Sequence, residues 1–110
     1  MKKALFITSA LMLLSSNANA NNFEACKAKL IKAQQLGVLH NLDWKPPKEP
    51  YVVAGRTFFT IPIDAKEGFA ETVNCFLVGG KSNQCVNFNV LSWQTGKAIG
   101  RFSYCKFKMN

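Results

Sequence analysis

The chain has 110 residues, 48% of them hydrophobic, and carries 14 Lys and Arg against 6 Asp and Glu for a formal net charge of +8. That length leaves room for one domain with a modest core. The charge favours anionic partners, whether nucleic acid, lipopolysaccharide, acidic cell-wall polymer or an acidic protein surface, although lysines scattered along the chain serve solubility equally well.

Residues 1–20 read as an export signal. Lys2 and Lys3 form a positive start, Ala4 to Leu14 a short apolar run, and Ala18-Asn19-Ala20 a small-x-small cleavage site. The run is shorter than the roughly 20 residues that span a bilayer. Asn21, not Cys, follows the cleavage site, so no lipid anchor is expected. The working part is then a single domain, residues 21–110, delivered to the periplasm or beyond. Loss of Lys2 and Lys3 lowers its formal charge from +8 to +6.

All four cysteines, Cys26, Cys75, Cys85 and Cys105, lie in that domain. An even number in a small exported domain points to two disulfides. A metal site would want closer ligand pairs, and His40 is the only histidine. No metal or cofactor is expected.

Asn21 or Asn22 can cap a helix starting near Phe23, with Phe23, Cys26, Leu30 and Ala33 forming one apolar stripe. Gly37 stands where a left-handed cap would end it. Val38 to Pro50 reads as a loop, extended over Lys45–Pro50 because Pro46, Pro47 and Pro50 fix their φ angles. Trp44 can pin this loop to the core, the preferred reading, or stand exposed as an anchor for a partner.

Five strands are expected beyond Pro50: 51–54, 57–63, 69–78, 85–93 and 97–107. Pro62 would place the second at an edge or a bulge, and Asp64–Gly68 would be a turn. A type I turn with Gly96 in the bulge position pairs Phe88 with Phe102, Val86 with Tyr104 and Cys85 with Cys105. Val86, Phe88, Val90, Phe102 and Tyr104 then face the core. Asn87, Asn89, Arg101 and Ser103 face away, with Phe76, Leu91 and Ile99 in the same phase. Slipping by one residue would bury Arg101 and Ser103. With Val73, Cys75 and Leu77 pointing inward, Cys75 meets the helix stripe. The favoured pairs are therefore Cys26–Cys75 and Cys85–Cys105, over Cys75–Cys85 with Cys26–Cys105. They would contribute about 4 and about 3 kcal/mol by loop-closure entropy.

The fold expected is α+β, one N-terminal helix on a four- to five-stranded antiparallel sheet. Catalytic signals are weak. His40 is the sole candidate for a base near neutral pH. Asp64, Glu67 and Glu71 read as turn and strand residues, not a paired-carboxylate centre. Gly79-Gly80-Lys81-Ser82 lacks the upstream glycine and the following helix of a phosphate-binding loop. The expectation is a non-catalytic exported protein that binds another protein, as an inhibitor of or immunity factor against a secreted, acidic-surfaced enzyme. Asn87, Asn89, Arg101, Ser103 and Trp44 are the candidate binding residues. A basic module adhering to anionic polymer is the alternative.

Overall fold

Helical and extended segments alternate differently from that expectation, and the difference decides the topology. The computed structural model describes residues 18–81 and 83–110. The expected export signal therefore lies outside the described residues except for its last three positions. The order is α1 (Ala18–Gln35), β1 (Leu39–Asp43), β2 (Tyr51–Ala54), a 3-10 helix (Arg56–Thr60), α2 (Ile63–Leu77), β3 (Phe88–Ser92), β4 (Ala98–Ser103) and β5 (Lys106–Met109). The fold is α+β, with the strands ordered 1-2-3-4-5 in one mixed sheet.

Helix α1 spans Ala18–Gln35, so the backbone at Asn21 and Asn22, expected as the cap, is helical. It ends as its glycine requires. Gly37 takes φ +82°, its N–H donates to the Gln34 carbonyl, and the Val38 N–H donates to the Ala33 carbonyl. Leu30 is the buried member of the stripe, while Phe23, Cys26 and Ala33 are half-buried. Among the described residues no helix is long and apolar enough to cross a membrane.

The largest correction is α2. The segment expected as a turn and a third strand is a helix of 15 residues, and Pro62 precedes its first turn, where no backbone donor is needed. Phe69, Ala70, Val73 and Leu77 are its buried residues, a 3.6-residue period hidden among β-favouring Thr72, Val73, Phe76 and Val78. Phe76 accordingly stacks on Phe23 of α1, at 5.4 Å between ring centroids, and belongs to the helix layer. The supposed second strand is the 3-10 helix, whose Phe58 is fully buried against Phe69 and Phe107. The segment between the third and fourth expected strands, Gly79–Gln84, instead leads from α2 toward β3.

Because α2 carries the chain from β2 to β3, those two strands run parallel, with Val52 opposite Val90. The other three pairings are antiparallel. Leu39–Asp43, expected as loop, is edge strand β1, and it pairs with β2 around a bulge at His40. The expected Phe88–Phe102 register holds, the two rings stacking at 5.0 Å. It does not extend to Val86 and Tyr104. The fifth strand breaks at Tyr104 and Cys105, both at positive φ, to make a tight turn into β5, and Tyr104 is 91% exposed. Left-handed φ at both central residues matches the twist of a two-residue hairpin.

Val52, Ala54, Phe88, Val90 and Phe102 are buried on the face that meets Leu30, Phe69, Ala70, Val73 and Leu77 of the helices. Both expected disulfides are present. Cys26–Cys75 joins α1 to α2, so Cys75 reaches its partner from a helix, not from a strand. Cys85–Cys105 joins the approach to β3 to the β4–β5 turn at the surface.

Candidate functional site

With both helices on one face, the other face of the sheet carries side chains that are exposed or half-buried. Register places one residue of each strand in a single line across it: Asp43, Tyr51, Asn89, Arg101 and Lys108. The neighbouring line holds Asn41, Val53 and Leu91. Five strands about 4.8 Å apart make this surface about 20 Å wide.

Two contacts order the polar line. The Tyr51 hydroxyl donates to Asp43 Oδ2 at 3.0 Å. That bond, with the negative charge beside it, raises the Tyr51 pKa above its usual 10.0. The Arg101 guanidinium donates to Glu49 Oε1 and Oε2 at 2.9 and 3.0 Å and to Asn89 Oδ1 at 3.0 Å. Hydrogen bonding from Arg101 lowers the Glu49 pKa below its usual 4.5 and raises that of Arg101 in return. Glu49 comes from the loop joining β1 and β2, where Pro46-Pro47 is cis and Pro50 is buried. The bidentate pair thus fastens this loop onto the sheet face.

Of the candidate binding residues, the fold brings Asn89 and Arg101 together. Ser103 is half-buried farther along β4, beside Lys106, and Asn87 is exposed in the segment leading into β3. Trp44 does not pin its loop to the core; it is 45% exposed just after β1. Glu49, Asp43 and Tyr51 were not singled out from the sequence: Asp43 lies in a strand read as loop, and that strand is what sets Asp43 beside Tyr51, while Glu49 meets Arg101 only through the tertiary fold.

A second feature lies beyond the ends of the parallel pair. Gln34, His40, Arg56 and Trp93 line a cleft of about 360 Å3 together with Gly37, Leu39 and Gly55. The glycines allow two backbone segments to touch. The Gly55 N–H donates to the Val38 carbonyl and the Thr57 N–H to the Gly37 carbonyl, and a Cβ on Gly55 would run into the Gly37 carbonyl oxygen. The backbone N–H of Trp93 donates to the Ala54 carbonyl, setting the indole at the end of β2, where the Arg56 guanidinium lies 5.5 Å from its ring centroid. His40, the bulged residue of β1, is exposed beside them.

Compared with known proteins, the chain matches no family model, no curated protein and no solved structure.

Proposed function

We propose that this is a small exported protein that works by binding another protein through the uncovered face of its sheet, without catalysis of its own. The observation that carries the reading is the polar line Asp43–Tyr51–Asn89–Arg101–Lys108 beside the apolar Val53 and Leu91, on strands that cannot rearrange easily. Such a surface combines an apolar centre with hydrogen-bonding groups already in place, the composition of a protein interface. The fastened proline loop adds relief at one margin. Two disulfides suit an oxidising compartment, which supports removal of residues 1–20 on export. An inhibitor of, or immunity factor against, a secreted enzyme is the role this design fits best.

Affinity capture with the oxidised protein from a periplasmic extract tests the proposal. A stoichiometric protein partner is expected, retained at high salt because an apolar centre is not screened, and lost with Leu91→Lys. Binding to an anionic polymer instead would fall steeply as salt rises. Absence of a stoichiometric protein, or undiminished capture by L91K, overturns the reading.

A further inference from the structure

The Arg56 cleft is independent of the sheet face and has a different chemical character. Arg56 makes no ion pair with a carboxylate of the described residues, and none of the cleft's lining residues is acidic. A guanidinium held over an indole keeps its N–H donors, which lie in its own plane, available to a planar acceptor. His40 and Gln34 add hydrogen-bonding side chains, while Leu39 and the Trp93 ring add apolar surface. The cleft also occupies the place where the chain leaves two parallel strands and diverges, with β1 entering alongside. Ends of parallel strands are where open sheets commonly leave room for a ligand.

We propose that this cleft binds a carboxylate attached to a flat or apolar body, the carboxylate on the Arg56 fork and the body against Trp93 and Leu39. A volume of about 360 Å3 suits a ligand the size of a capped amino acid. The carboxylate can come from a small organic acid, from the chain end of a protein or from an acidic side chain, and the same chemistry serves all three. The reading does not rest on the sheet face as a docking surface, so either can fail alone.

The test is titration of the oxidised protein, followed by proton–nitrogen NMR, with N-acetyl-L-phenylalanine and with its amide. The acid should shift the Trp93 indole N–H and the backbone N–H groups of His40, Gly55 and Arg56 saturably, and the amide should not. Arg56→Gln should weaken binding about tenfold or more, as loss of a charged hydrogen-bonding partner does. R56K, which keeps the charge and loses the fork, should fall between. K81Q, the same change in charge at the other end of α2, should bind like the unaltered protein. A peptide ending in phenylalanine with a free carboxylate, and a peptide capped at both ends with an internal glutamate, identify the source: whichever binds supports the site and names its ligand. Silence from all three carboxylates, equal shifts with the amide, or full binding by an R56Q variant with an intact spectrum overturns the proposal.

Discussion

Arg56 and Arg101 are the chain's two arginines, and they sit in opposite circumstances near opposite ends of the parallel pair. Arg101 is paired: it donates to both carboxylate oxygens of Glu49 and to Asn89 Oδ1, so its charge is spent on holding a loop against the sheet. Arg56 lies over the Trp93 ring, 5.5 Å from its centroid, with no ion-pair partner among the described residues. In composition the two are equivalent cations. In the fold one is a fastener and the other an open receptor, and only the second adds to what the molecule can attract.

The experiment with the largest expected effect concerns the helix that ends at the cleft. Removing Cys26–Cys75, which links residues 49 apart, should lower stability by about 4 kcal/mol, and removing Cys85–Cys105, which links residues 20 apart, by about 3. Urea midpoints of the two double-alanine variants give the order, and a reversed order would show that the surface bridge does more than shorten the unfolded chain. Next, Gly55→Ala should cost about 1–3 kcal/mol through collision with the Gly37 carbonyl. Thermal unfolding measures this, and NMR shows whether Arg101 and Asn89 keep their positions while the cleft residues move.

A smaller effect separates the fastened arginine from the free one. The Glu49 pKa is depressed in the folded protein, so its stabilisation is complete above the ordinary value of 4.5 and is lost as pH falls through the lower folded value. The pair is partly exposed, 39% and 45%, so the contribution is about 1 kcal/mol or less. Acid titration of stability should lose this step in Glu49→Gln, whereas R56Q should retain it. Smallest of all, Asp43→Asn should bring the Tyr51 titration back down toward 10.0, followed by phenolate absorbance, since the charge is gone and an amide oxygen is a weaker acceptor than a carboxylate.

How far the sequence could be read follows from which interactions are local. The Phe88–Phe102 pairing and the α1 cap at Gly37 were legible within short stretches, from inside–outside alternation and a glycine at a left-handed position. Cys85–Cys105 was legible through that pairing, although the ladder shifts between Val90 and Leu91 and stops at Phe88–Phe102. Helix α2 was not: Thr72, Val73, Phe76 and Val78 favour strands, and only burial of Phe69, Ala70, Val73 and Leu77 against α1 and the sheet makes the helical period win. The Cys26–Cys75 pairing was reached through a strand that does not exist, yet it holds because either geometry turns Cys75 toward α1. Strand β1 carries His40, Asn41 and Asp43 and too little apolar alternation to announce itself. The candidate site suffered accordingly. Asn89 and Arg101 were found from the hairpin, while Glu49 and Tyr51 depended on β1 and β2, and the Arg56 cleft gathers residues from α1, β1, the 3-10 helix and the turn after β3, a convergence set by tertiary structure alone.

The parallel pairing of β2 with β3 has a kinetic consequence. Every other neighbouring pair of strands is joined by a loop of seven residues or fewer, whereas Ala54 and Phe88 are separated by the whole of the 3-10 helix and α2. Local hairpins close in microseconds, and contacts across long loops come later. The β2–β3 pairing is thus the least local in the sheet and is expected to form after the hairpins that flank it. Pulsed hydrogen exchange during refolding checks this order: protection in the β3–β4 hairpin is expected before protection that depends on the β2–β3 pairing.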